Sequence, residues 1–113
     1  MSTTVKNRVQ LLGNLGNTPE MKTFENNKLA RFAVATSDYK KNKAGEFITE
    51  THWHNVIAWG KLAERAEKLF EKGSQVLIDG KLVSRSYDDK DGNKRYVTEI
   101  VANELVLMNK KQA

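Results

Sequence analysis

Trp53 and Trp59 are the residues of this chain best placed to do chemistry, and the chemistry is stacking. They lie in Thr51-His-Trp-His-Asn-Val-Ile-Ala-Trp-Gly-Lys-Leu-Ala-Glu64, whose first half alternates with a period of two. Trp53, Asn55, Ile57 and Trp59 then share one face of a strand, and His52, His54, Val56 and Ala58 the other. Val56 and Ala58 suit a core. Both indoles therefore occupy the opposite face, about 20 Å apart at a strand's rise. Two flat π-faces along one sheet surface are platforms for unstacked nucleobases. The alternative is that other protein covers this face, as in a sandwich or a subunit interface. Aromatics are enriched in ordinary strands and in interfaces too, and the strand alone weighs the two evenly.

Catalytic and metal chemistry have no comparable footing. The 113 residues contain no cysteine, which removes disulfide and thiolate chemistry. His52 and His54 share a strand face, but a zinc site needs at least a third protein ligand, and these are the only histidines. Asp88, Asp89 and Asp91 beside Gly92 have hairpin-tip composition and lack the spacing and closing glutamate of a calcium loop. No nucleophile stands with a base, and no acid–base pair is visible. The expectation is a binding protein rather than an enzyme, with no cofactor and no metal.

The formal charge is +5 and the sequence pI about 9.5. This balance favours an acidic partner such as nucleic acid or an anionic surface, although surplus surface lysine alone produces the same number. The length suits one domain. The stretch Met1–Val9 has no apolar signal-type region and no run approaches a membrane span, so a cytoplasmic protein is expected.

The elements that must position the tryptophans follow from pattern. Arg8–Leu15 reads as a strand broken by Gly13 and ended by Gly16 and Pro19, and Met21–Phe24 as a short strand. Glu25–Lys28 is a turn by composition. Leu29–Thr36 alternates, with Leu29, Arg31, Ala33 and Ala35 on one face and Ala30, Phe32, Val34 and Thr36 on the other. Ser37–Glu50 is a polar loop or flexible hairpin. Lys61–Phe70 changes period: Leu62, Ala66, Leu69 and Phe70 form a helical stripe, with Lys72 and Gly73 as its cationic end and C′ glycine. Gln75–Tyr87 is a long strand with a bend or bulge at Gly80. Asp88–Lys94 is a hairpin tip, Arg95–Ala102 returns, and Leu105–Met108 closes residues 1–108. A mainly β chain of five strands with one helix between the third and fourth has the order of an OB barrel, whose open face binds oligonucleotides. A generic small barrel or sandwich with a decorating helix is the rival.

Longer motifs extend this reading. Asn7-Arg-Val-Gln-Leu-Leu-Gly-Asn-Leu-Gly16 with Pro19-Glu20, Arg31-Phe-Ala-Val-Ala-Thr-Ser37, Thr51-His-Trp-His54, Gly60-Lys-Leu-Ala-Glu64, Lys72-Gly-Ser-Gln-Val76 with Gly80-Lys-Leu82, and Arg95-Tyr-Val-Thr-Glu99 closely resemble, in order and spacing, the bacterial single-stranded DNA-binding protein family. The resemblance implies that Trp53 stacks on bases, that Trp59 does so at a position usually held by phenylalanine, and that Tyr87 stands where tryptophan is common. It places Tyr39 near a further family aromatic. It implies phosphate contacts from Arg31, Lys61, Lys72, Arg85 and Arg95, the last balanced against a solvated charge beside an acidic turn. It puts His54 at a subunit interface, with Gln75 a further interface candidate, in a homotetramer. Asn55 and Val83 depart from the family by standing where relatives often carry arginine. Relatives usually continue through a long linker to an acidic tip, whereas residues 109–113 form a short basic tail. On that reading, tail-dependent replication and repair partners are not recruited. The implied function is sequence-nonspecific binding and protection of single-stranded DNA in replication, recombination and repair, close to the nucleoid. A primosome-type accessory OB protein and a protein-interaction subunit using the tryptophan face are the alternatives.

Overall fold

The computed structural model describes residues 6–109. The strands are β1 (Val9–Leu15), β2 (Glu20–Phe24), β3 (Asn27–Lys41), β4 (Phe47–Trp59), β5 (Gln75–Asp88) and β6 (Lys94–Asn109), with one helix, α1 (Lys61–Leu69), between β4 and β5. The sheet order is β1-β5-β6-β4-β3-β2, and a further pairing of β1 with β3 closes it into a barrel. The β1 and β2 segments are two halves of one strand interrupted at Gly16–Pro19. Counted so, this is a five-stranded closed barrel with its helix between the third and fourth strands, the expected OB architecture. Among the described residues no helix is long and apolar enough to cross a membrane.

Alternation fills the interior. Ala30, Phe32 and Val34 of β3 meet Val56 and Ala58 of β4, Val76 and Ile78 of β5, and Ile100, Ala102 and Leu105 of β6, all buried. The helix closes one end with Ala63 and Ala66, and Phe70 packs edge-on against Phe32 at 5.7 Å. Gly60 turns the chain from β4 into α1 at a φ of 61°, a left-handed conformation that glycine adopts without steric cost.

Several local expectations are corrected. Gly13 does not break β1: it stays in register with Val76, and a Cβ there would overlap the carbonyl oxygen of Ala35. Its small size serves the close crossing of strands where the barrel shuts. Leu29 shares a face with Arg31 as expected, and is buried there because Trp59 and Lys22 flank it on the neighbouring strands. Of the two readings of Ser37–Glu50, the hairpin is the one found, with both strands running on into it. Gly73 is not the helix C′ residue: the chain leaves the helix at Phe70, in extended conformation, as that ring enters the core. The Gly73 N–H instead reaches back to Leu15 O at 2.9 Å. The last two predicted strands are one, β6. Its register slips opposite Asp79 and Gly80, where Glu104 and Ala102 are the partners, so the extra residue is Asn103. Lys110–Ala113, most of the predicted basic tail, lies outside the described residues.

Both hairpins end in the same five-residue turn. In Asn42–Glu46 the Asn42 Oδ1 accepts the N–H groups of Ala44 and Glu46, and in Asp89–Asn93 the Asp89 Oδ1 accepts those of Asp91 and Asn93. Gly45 and Gly92 supply the positive φ that each turn requires.

Gly13→Ala tests the closure and Gly80→Ala the slip in register between β5 and β6. The added methyl meets backbone carbonyls, those of Ala35 and Val101, which cannot rotate aside. Each substitution is expected to cost about 1–3 kcal/mol, read as a lower denaturation midpoint in urea. Unchanged midpoints in both would show that these crossings are not tight.

Candidate nucleic-acid interface

The pairing of β3 with β4 sets the face. Leu29 lies opposite Trp59, Arg31 opposite Ile57, Ala33 opposite Asn55, Ala35 opposite Trp53, Tyr39 opposite Thr49 and Lys41 opposite Phe47. These pairs share one parity, so Tyr39, Phe47, Trp53 and Trp59 project from the same side of one ribbon. All are exposed: Trp53 by 61%, Trp59 by 44%, Tyr39 by 76% and Phe47 by 75%. Trp53 therefore has the orientation expected of it, with small Ala33 and Ala35 beside it. Gly16 approaches the same indole so closely that a Cβ would overlap the ring. Phe24 flanks Trp59, with ring centroids 6.2 Å apart and planes tilted by 51°. Lys41 Nζ stands 5.4 Å from the Phe47 centroid, a cation–π contact.

A second group gathers at an open cleft of about 310 Å³ between this ribbon and the β5–β6 hairpin. Arg31 and Asn55 line it from one side, Arg85, Tyr87, Val97 and Glu99 from the other. Arg85 Nε donates to Glu99 Oε1 at 2.8 Å. Glu99 is buried, and its hydrogen bond and charge hold the Arg85 guanidinium even more firmly protonated than usual. Arg31 Nε is covered and has no hydrogen-bond partner. A donor in that condition costs about 1–3 kcal/mol.

The structure thus brings Arg31, Arg85 and Tyr87 together, and Tyr39, Trp53 and Trp59 along one face. Lys61 begins the helix and Lys72 follows it in the connection to β5; both are exposed, and neither lines the cleft. Arg95 is opposite Tyr87 in register, and its Nε donates to Asp89 at 2.9 Å. That bond, with the N–H groups of Asn93 and Asp91, holds the Asp89 carboxyl below its ordinary range. His54, on the other face of β4, is 2.9 Å from Thr36 Oγ1. His52 instead lies 3.5 Å from Asp38 and 3.6 Å from Glu50, so the two imidazoles have separate surroundings. Gln75 opens β5 opposite Asn14.

Phe47 and Phe24 were not foreseen. Phe47, Trp53 and Trp59 recur at intervals of six along one strand, a signal hidden by starting the tryptophan strand at Thr51 and leaving the residues before it as a polar loop or flexible hairpin. Phe24 has no such signal, since only the pairing of β2 with β3 carries it to Trp59.

Residues 6–108 match the family described as "Single-strand binding protein family". The chain is 41% identical over 109 residues to "Single-stranded DNA-binding protein 1" of Chlorobaculum tepidum, covering 95% of this chain and 67% of that protein. It is 43% identical over 108 residues to "Single-stranded DNA-binding protein 1" of Xylella fastidiosa, covering 94% and 79%. Among solved structures, the fold superposes on one titled "Plasmodium falciparum SSB complex with ssDNA" with a TM-score of 0.86, at 23% identity, over 96% of this chain and 100% of the other.

Gly16→Ala should displace the Trp53 ring, since its methyl would occupy ring space. In a Trp59→Phe background, where Trp53 is the remaining indole, the expected result is altered emission and greater accessibility to acrylamide, with the fold retained. Identical quenching with and without the methyl would show that Gly16 does not position the ring.

Proposed function

Because this chain belongs to the single-strand binding protein family, we propose that it binds single-stranded DNA along the ribbon that carries Trp53 and Trp59 and through the adjoining cleft. It acts in DNA metabolism by holding the strand, and it is not an enzyme. The observation that carries the site assignment is the row of outward aromatics, Tyr39, Phe47, Trp53 and Trp59, on one face of β3–β4. Bases stack on these rings and on Tyr87. Arg31, Lys61, Lys72, Arg85 and Arg95 neutralise phosphates, Arg95 after exchanging Asp89 for a phosphate oxygen. Stacking selects single strands because duplex bases already cover each other's faces. It is sequence-tolerant because every base has a π-face. Residues 1–108 serve as the binding domain, and the basic residues of 109–113 add to the field that attracts the strand.

Titration of indole fluorescence with oligo-dT at graded salt tests this reading. Emission is expected to be quenched, and log affinity to fall with log salt at a slope of about −0.7 per phosphate neutralised. Trp53→Ala and Trp59→Ala should each weaken binding by about 1–3 kcal/mol without unfolding. Equal affinity for duplex, or binding without quenching, would defeat the stacking mechanism.

The assembly belongs to the same proposal: a homotetramer with His54 and Gln75 at subunit contacts. Two features support self-association. Only Asn14 and Leu15 of β1 pair with β3, so Val9–Gly13 presents an outer strand edge, a site for adding a strand of a second copy. Leu12, Leu77 and Val106 are paired in register across β1, β5 and β6, forming an outward apolar strip, with Leu12 53% exposed. Closed symmetry repeats such contacts. His54→Tyr should shift sedimentation toward smaller species on dilution, while each barrel stays folded. A variant that is tetrameric at every concentration would remove His54 from the interface.

A further inference from the structure

The cleft lined by Arg31, Asn55, Arg85, Tyr87, Val97 and Glu99 carries polar groups of both signs, and that decides what it can hold. Arg31 and Arg85 can neutralise a phosphate passing the mouth of the cleft, whereas the buried Glu99 carboxylate is an acceptor suited to N–H donors. Its Oε1 is engaged by Arg85, but Oε2 takes no part in that bond. Asn55 offers an amide able to donate and accept. Arg31 rests with Nε covered and unbonded, so drawing its guanidinium onto a ligand relieves an unsatisfied donor. The volume is at the low end of small-molecule pockets, which run from about 300 Å³, a size for one base rather than a run of nucleotides. Val97 supplies an apolar wall and Tyr87 a ring.

Guanine matches this donor and acceptor set better than thymine does. Its N1–H and N2–H are adjacent donors suited to a carboxylate, and its O6 and N7 are acceptors suited to arginine. Thymine has a single N–H flanked by carbonyls on both sides, so docking that N–H on Glu99 brings a carbonyl against the carboxylate. Resting on the reading of this chain as a single-stranded DNA binder, we propose that the cleft takes the edge of one guanine of the bound strand. Glu99, Arg31 and Asn55 are then specificity-determining residues on a surface that is otherwise tolerant of sequence.

The test uses an oligo-dT of about ten nucleotides, within the roughly 4–16 nucleotides that an OB fold occupies. A single guanine is walked through every position, and the series is repeated with inosine, which lacks the N2 amino group. At one position guanine is expected to tighten binding by about fivefold or more over thymine, and inosine by less. Arg31→Leu and Glu99→Gln should each bring the guanine-to-thymine ratio toward one. Arg31 is partly exposed, so its variant keeps the ratio measurable if loss of the Glu99 ion pair unfolds the other. Tight binding of oligo-dT with no effect of guanine at any position overturns the base-reading cleft and leaves DNA binding intact. A preference that survives both substitutions overturns the assignment to this cleft. Failure to bind any oligonucleotide overturns both the cleft and the function on which it rests.

Discussion

The register between β3 and β4 is the constraint on which the site depends. It runs the 13-residue length of β4, and along it the period-two rule assigns each side chain to the interior or to the surface. Phe32 and Val34 go inward with Val56 and Ala58; Trp53, Trp59, Tyr39 and Phe47 go outward. A slip of one residue would exchange these sets, driving indoles into the barrel and core aliphatics into water. The burial of Phe32, Val34, Val56 and Ala58 is therefore also what holds the aromatic row outside. Core stability and ligand presentation are the same choice of register.

The surroundings of the row are suited to its use. Large exposed aromatics are an aggregation hazard in most proteins. Here they are interrupted by charge: Lys41 covers the Phe47 ring, and Lys28 and Glu67 pair at 3.2 Å near the start of β3. The β5–β6 hairpin adds another polar pair, Arg85 with Glu99. With its carboxylate buried and its guanidinium half-exposed, this pair fixes the guanidinium beside Tyr87 in a defined orientation, and removing either partner would leave the other without its counter-charge.

Much of this was legible in the sequence, and the failures have physical causes. Trp53, Val56 and Ala58 declared their faces by alternation, and Gly80 announced the irregularity opposite it. The family motifs fixed the order of elements and the aromatic positions together. Gly13 was misread because a glycine in a strand signals either a break or a close approach, and only the tertiary crossing with Ala35 tells which. Leu29 was placed on the correct face, but its burial there depends on cross-strand neighbours, which a single strand's pattern does not contain. The helix end was misjudged because Phe70 gains more from the core than Gly73 does from a cap. The polar composition of Ser37–Glu50 concealed two strand ends, since an arm with water on both sides has no apolar period to read, and Phe47 was lost with it.

The barrel is closed by short ladders. Asn14 and Leu15 join β1 to β3, and Val56 and Ile57 join β4 to β6, whereas the antiparallel pairings within β3–β4 and β5–β6 are long. By its hydrogen bonds the barrel is two long ribbons joined by short seams. Amide hydrogens at the seams should exchange through openings that leave each ribbon intact. The cleft straddles that division, with Arg31 and Asn55 on one ribbon and Tyr87 and Glu99 on the other. Its width is then set by how the two ribbons meet across those short seams rather than by packing within either one, as the gape of a jaw is set at its joint.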